Sequence, residues 1–276
     1  AGFTGYYFAE HHGTDLCLVP NQDLIIAVAS QITSTIRMGP MVKLLPLHHP
    51  VRMIEDLCVL DNLTDGRVEY GVGRGIAPVE HYWYGGDWLS SRERYVDVLG
   101  IMARALRTGE ISSDGSRYYD FRTMPMADMP VQKSIPFWCP NNPAAAGRYG
   151  FKLMTAGPIT KEAYDLYVEN WHAHRDDPIR FDGAGDKPMV GAMMTIAIDQ
   201  DENVALDVAT RAMTGLMRRA HAVHDWDTEL IGAEAADKAL AALRRTMSVM
   251  DRRIEDGHGT PRKIIDRFGQ IIEDGM

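Results

Sequence analysis

The chain has 276 residues, 45% of them hydrophobic and 24% charged, with a formal net charge of -9. A chain of this length buries a core large enough to need neither disulfide nor metal staples. Its acidic balance argues against a nucleic-acid partner, which needs a basic face, but leaves room for a phosphorylated cofactor held by one or two local arginines. Tyr6–Ala9 reads as a strand, and Asp23–Ile32 as a helix with Asn21 as its N-cap. Ile36–Leu45 reads as a buried strand ending at Pro46. Pro50–Leu63 reads as a helix with Pro50 in its first turn. Val68–Val72 is a strand that runs into Gly73-Arg74-Gly75, and a helix spans about Ser90 to Arg107.

Thr108 to Pro136 is turn-rich, with Asp114-Gly115 set for a hairpin between Ile111 and Tyr118-Tyr119. The next elements are a strand at Ile135–Cys139, a short helix at Ala144–Tyr149, a strand at Leu153–Thr155 and a helix at Lys161–His174. A loop at Asp176–Lys187 precedes an apolar strand at Met189–Ile198. Beyond Asp199 the pattern is helical to about Glu255. Gly257-His258-Gly259 then punctuates it before a last helix from Pro261. This alternation predicts parallel βαβ units in a single domain spanning residues 1–276. Six strands are counted, where an eight-stranded (β/α)₈ barrel needs two more. A strand before Ala1 and another after Met276 would be neighbours in the closed barrel, so a domain truncated at both ends is expected. The chain starts Ala1-Gly2-Phe3 without an initiator Met or a basic-then-apolar leader. No stretch approaches the roughly 20 apolar residues of a membrane span. Cys17, Cys58 and Cys139 form no CxxC pair, which points to a reducing, cytoplasmic setting.

Four groups of residues carry possible chemistry. Glu10-His11-His12 ends the first strand, and His48-His49 ends the second. Successive residues of a strand face opposite ways, so only one histidine of each pair can point into a barrel, and no metal site is expected. Taken alone, such a pair reads as a structural strand end or as a catalytic base with its support. G-V-G-R-G, Gly71 to Gly75, lacks the third glycine of the dinucleotide fingerprint, because Ile76 stands there. It remains either a tight turn or a place where backbone N–H groups and Arg74 meet a phosphate. Arg92 opens the following helix, where a positive side chain is mildly unfavourable unless an anion sits beside it.

Read together, E-H-H, then L-L-P-L-H-H-P-V-R-M-I-E-D, then L-D-N-L-T-D-G-R-V-E-Y-G-V-G-R-G resembles the bacterial luciferase-like flavin monooxygenases. The resemblance covers the whole chain in outline and is densest from Phe8 to Arg94. It implies a (β/α)₈ TIM barrel, here lacking the first and last βα units. It also implies an enzyme that acts on paired donors with incorporation of oxygen. In that family reduced FMN, supplied by a separate flavin reductase, reacts with O₂ to a flavin hydroperoxide that oxidises an aldehyde, ketone or similar small molecule. Carried over by position, His11 matches the catalytic histidine, Arg74 with Gly73 a flavin-site arginine and its strand end, and Arg92 the arginine on the FMN phosphate. Asn141 and Asn142, in W-C-P-N-N-P, match further phosphate contacts. The resemblance also implies a homodimer, with the helices Asp23–Ile32 and Pro50–Leu63 apolar on more than one face. Two other readings stay open: a deazaflavin-dependent dehydrogenase on the same fold, and a non-catalytic subunit of a heterodimeric enzyme.

Overall fold

A computed structural model of the chain describes residues 2–14, 16–17, 19–181, 187–224, 231–241 and 257–273. Strand β1 (Gly5–Phe8) leads through helix α1 (Gln22–Ile32) to β2 (Arg37–Pro40) and β3 (Lys43–Leu44). A 3₁₀ turn (Leu45–Leu47) and helix α2 (Pro50–Leu63) then lead to β4 (Tyr70–Gly73). Helices α3 (Pro78–Trp83) and α4 (Ser91–Thr108) follow, then a small antiparallel pair, β5 (Glu110–Ile111) with β6 (Met124–Pro125). The chain continues as β7 (Phe137–Pro140), α5 (Pro143–Tyr149), β8 (Lys152–Thr155), α6 (Lys161–Ala173), β9 (Val190–Ala192) and β10 (Ala197–Ile198). Helix α7 (Glu202–His224), strand β11 (His258–Gly259) and helix α8 (Pro261–Glu273) follow, and residues 233–241 are also helical.

Strands β3, β4, β7, β8 and β9 form one parallel sheet in that order, and β1 pairs with β2 in parallel beside it. The Met38–Val68 bridge joins β2 to the segment that enters β4. Parallel neighbours need crossover connections, and α1, α2, α4, α5 and α6 supply them. Strand order thus follows chain order around an arc of α/β barrel. Among the described residues the arc does not close, and β10 and β11 form a separate parallel pair.

The packing explains why these segments fold as they do. Strand β4 is buried along its whole length, as befits a strand covered on both faces. Helix α2 turns Met53, Ile54, Leu57, Cys58 and Leu60 into the main core, and α4 adds Val98, Leu99, Ile101 and Met102. Gly109, at φ +75°, ends α4 in the left-handed conformation that glycine tolerates.

A buried carboxylate ties the strands together from inside. Glu69 accepts from Tyr7 Oη at 2.9 Å, Arg37 Nε at 2.7 Å, Trp138 Nε1 at 2.5 Å and Lys152 Nζ at 3.1 Å. Those donors sit on β1, β2, β7 and β8. Burial alone would raise the Glu69 carboxyl, but the Trp138 hydrogen bond, the Lys152 charge and the Tyr7 hydroxyl lower it overall.

The structure differs from the sequence reading in four places. The strands expected at Ile36–Leu45 and Met189–Ile198 are each broken into two short pieces with different partners. The hairpin after α4 returns at Met124–Pro125, not at Tyr118-Tyr119, because Ser113, Ser116 and Asp97 hold residues 113–121 in turns. His258–Gly259 is a strand, where only punctuation was read. The helical reading from Asp199 to Glu255 falls partly on residues 225–230 and 242–256, outside the described residues.

Candidate active site

The C-terminal ends of β1, β3, β4 and β7 face one way, as parallel strands must, and the chemistry-bearing residues follow them. Beyond Phe8 the chain leaves β1, so residues 9–12 are no longer bound to strand alternation. Glu10 turns inward and is almost wholly buried. Its Oε1 meets His12 Nε2 at 3.0 Å and His48 Nε2 at 2.6 Å. Its Oε2 accepts the Leu44 backbone N–H at 2.7 Å. Burial would raise this carboxyl, yet the hydrogen bonds from His12 and His48, with the His48 and Lys43 charges, hold it well below the usual carboxylate range. His12 Nδ1 lies 2.9 Å from Tyr84 Oη, which closes a chain from β3 to the segment after α3.

His11, the histidine singled out from the sequence, has a different partner. Its Nδ1 lies 3.0 Å from Glu80 Oε1, and the same oxygen accepts the His12 backbone N–H at 2.9 Å. Glu80 and His81 sit on α3, directly after the glycine-rich end of β4, and both are buried. Burial, together with the nearby Arg74 charge, pushes the His81 imidazole down to about 4 against the pull of Glu80. Neither residue was singled out from the sequence. The available signal was an acid–histidine pair directly after a strand-end glycine cluster.

Arg74 is half-buried, with its guanidinium 4.6 Å from the centre of the Trp88 ring. Burial lowers its pKa, and so does the positive charge of Arg92. The two arginines are therefore near enough to repel, and neither has a carboxylate partner among the described residues. Beside them Glu80 Oε2, His81 Nε2 and Trp88 Nε1 are buried without a hydrogen-bond partner. Orphaned polar atoms and two unneutralised cations fit an anionic, polar ligand such as FMN. Arg92 itself is exposed and also lines a groove with Val96, Arg104, Asp114 and Tyr118.

The glycines of G-V-G-R-G do other work. A Cβ on Gly71 would come 2.7 Å from the Pro40 carbonyl, and one on Gly73 would come 2.3 Å from Val42 Cγ2. The space beside Gly73 is thus filled by the neighbouring chain. Gly75, at φ +87°, lies against His81, whose Nε2 would be 2.7 Å from an added Cβ. Asn142 caps α5 by accepting the Ala145 N–H at 3.1 Å, while Asn141, at φ +50°, accepts the Ala156 N–H at 2.8 Å. Both side-chain oxygens are engaged, which leaves their amide N–H groups for a ligand. Asp87 is committed to the backbone of Leu89 and Ser90 ahead of α4.

Among the described residues, those that could hold a metal are Glu10, His12 and His48, whose ligating atoms lie within 4.8 Å of one another. The alternation argument against such a set does not apply, because Glu10 and His12 lie past the end of the strand.

The family model for luciferase-like monooxygenases matches residues 1–276. The chain is 34% identical over 137 residues to the alkanal monooxygenase alpha chain of Aliivibrio fischeri, covering 49% of this chain and 38% of that one. It is 26% identical over 179 residues to limonene 1,2-monooxygenase of Rhodococcus erythropolis, covering 63% and 46%. The chain spans about half the length, or less, of such curated relatives. Among solved structures, the oxygenating constituent of 3,6-diketocamphane monooxygenase from Pseudomonas putida, in complex with FMN, has a TM-score of 0.70 at 16% identity. That match covers 99% of this chain and 79% of that one. The coenzyme F420 dependent tetrahydromethanopterin reductase of Methanopyrus kandleri has a TM-score of 0.61 at 17% identity, covering 100% and 84%. At such identities these two likenesses concern the fold.

Proposed function

Since this chain belongs to the luciferase-like monooxygenase family, we propose that it is a flavin-dependent monooxygenase that takes reduced FMN and O₂ to oxygenate a small organic substrate. The observation that carries this reading is the pair Arg74 and Arg92, neither with a carboxylate partner among the described residues, with the orphaned polar atoms of Glu80, His81 and Trp88 near Arg74. In this reading Arg92 and Arg74 hold the FMN phosphate, with the Asn141 and Asn142 amides as further contacts, while Gly73 serves the packing against Val42. When bound, reduced flavin together with O₂ supplies the oxygen that is transferred. The protein's own part is to bind and orient, to shield the reacting atoms from water, and to move a proton.

His11 is the group assigned to proton movement. Its Nδ1 is held by Glu80, so the ring is fixed in orientation and Nε2 is left for the reacting partner. Glu80 thereby becomes a positioning residue for His11. The reading also takes a separate flavin reductase as the source of reduced FMN and a cytoplasmic setting. No helix among the described residues is long and apolar enough to cross a membrane. Leu24, Val28 and Ile32 on α1 and Val59 and Leu63 on α2 are exposed, which supports a homodimer through these helices. Sedimentation as a monomer at micromolar concentration would refute that assembly.

Titration of FMN against the full chain, followed by flavin fluorescence, tests the cofactor assignment. Arg92→Ala is expected to weaken binding by about 10-fold or more, the value of one charge-assisted hydrogen bond. Affinity equal to that of the wild type removes the phosphate role. His11→Ala is expected to bind flavin normally and to lose oxygenation, read as oxygen uptake in the presence of substrate. Unchanged uptake with normal binding removes the proton role. A deazaflavin-dependent dehydrogenase would instead show substrate oxidation without oxygen uptake.

A further inference from the structure

We propose that Glu10, His12 and His48 form a binding site for one divalent transition-metal ion of the zinc class, taken up in place of the hydrogens that now join the three side chains. The site is independent of the flavin reading and would stand or fall without it. Three features of the cluster point to a metal. Both imidazole Nε2 atoms converge on the same carboxylate oxygen, Glu10 Oε1, at 3.0 and 2.6 Å. The other oxygen is anchored by the Leu44 N–H at 2.7 Å, so the carboxylate cannot swing away. His12 also has a supporting partner on its far nitrogen, Tyr84 Oη at 2.9 Å, the kind of outer hydrogen bond that fixes a metal-ligating imidazole.

The geometry is close to what an ion requires. Zinc bound to nitrogen and oxygen at about 2.0–2.1 Å in a tetrahedron sets ligand atoms roughly 3.3 Å apart. Around such an ion the His12 separation opens by about 0.3 Å and the His48 separation by about 0.7 Å. Two imidazoles and one carboxylate leave a fourth position for water, and the partly exposed His48 side chain gives access from solvent. Imidazole ligands favour zinc-class ions over magnesium or calcium, which prefer all-oxygen sets.

The protons balance. Without an ion, each Nε2 carries the hydrogen it shares with Oε1, and neutral His12 accepts at Nδ1 from the Tyr84 hydroxyl. With the ion bound, Nε2 must be bare. The His12 hydrogen then resides on Nδ1 and is donated to Tyr84 Oη, whose hydroxyl turns outward. A neutral imidazole thus changes tautomer without net release, and a protonated one releases a proton to solvent.

Co²⁺ serves as the probe because its visible spectrum reports coordination number. The full chain, stripped with chelator and free of flavin, is titrated with Co²⁺ near neutral pH. The expected result is an intense visible band that saturates at one ion per chain. Zn²⁺ should displace it, and excess Mg²⁺ should not. His48→Ala should lower affinity by more than about 100-fold, since a ligand is worth more than a supporting partner, and Tyr84→Phe should lower it by about 10-fold with the band shape retained. His12→Ala is the second ligand variant, in case His48→Ala does not fold. A weak six-coordinate spectrum overturns the proposal. So does a thiolate charge-transfer band, which would place the ion on a cysteine, or wild-type affinity in either folded ligand variant.

Discussion

His81 offers a direct measurement of what the buried face of α3 costs in acid. It is fully buried, and its imidazole is pushed down from 6.5 to about 4 by burial, with the Arg74 charge acting in the same direction. A histidine whose folded pKa is lowered is charged more readily in the unfolded chain. Stability is therefore greatest above about pH 6.5 and is lost progressively as pH falls toward 4. Each unit of difference is worth about 1.4 kcal/mol. Integrated from about pH 7 to about pH 4.5, the loss from this one side chain is about 2 kcal/mol. Other carboxylates also titrate over part of that range, so the contribution has to be isolated by substitution. His81→Phe keeps a ring of similar volume, removes the orphaned Nε2 and abolishes the titration. Urea unfolding of both proteins at the two pH values gives the answer. The wild type should lose about 2 kcal/mol more than the variant between them. Parallel pH dependence would refute the reasoning, because it would mean that the ring is protonated inside the folded protein without penalty.

Two further substitutions probe the frame that holds the site. Glu69→Gln leaves Lys152 buried without its counter-charge and weakens the Arg37 bond. The expected loss is about 3 kcal/mol in urea unfolding at neutral pH, and a change below about 0.5 kcal/mol would contradict it. Because the Glu69 carboxyl is lowered in the fold, its contribution is present above the ordinary carboxylate range and fades as pH falls through it, so the variant should show a flatter acid limb. Gly73→Ala drives a methyl against Val42 and should cost about 1–3 kcal/mol, with partial recovery in the double variant Gly73→Ala/Val42→Ala. No recovery would show that the clash is not with Val42.

The order of elements was legible wherever periodicity is long enough to read. The helices at Asp23–Ile32 and Pro50–Leu63 and the strand entering Gly73 fall within a residue or two of their expected places. Their buried faces repeat at 3.6 or follow an unbroken apolar run, and Pro50 marks a helix start by its own geometry. Breaks inside strands were not legible. Arg37–Pro40 and Lys43–Leu44 read as one apolar run because both are buried, yet one pairs with β1 and the other with β4. The His258–Gly259 strand is two residues long, too short for any period to register.

The site shows the same limit in a sharper form. E-H-H was read with the two-residue period of a strand, which sends neighbouring histidines to opposite faces. The strand ends at Phe8, two residues before the acid, so the period no longer governs where Glu10, His11 and His12 point. What governs them is the set of buried partners arriving from elsewhere. Glu80 on α3 takes His11 and the His12 backbone, while His48 and the Leu44 N–H, from the end of the next strand, take Glu10. Those partners are separated from Glu10 and His11 by 34 to 69 positions, a distance over which no local pattern carries information. Three adjacent residues thus feed two separate hydrogen-bonded groups. One joins His11 and the His12 backbone to Glu80 on α3, and the other converges two imidazoles on a single carboxylate oxygen.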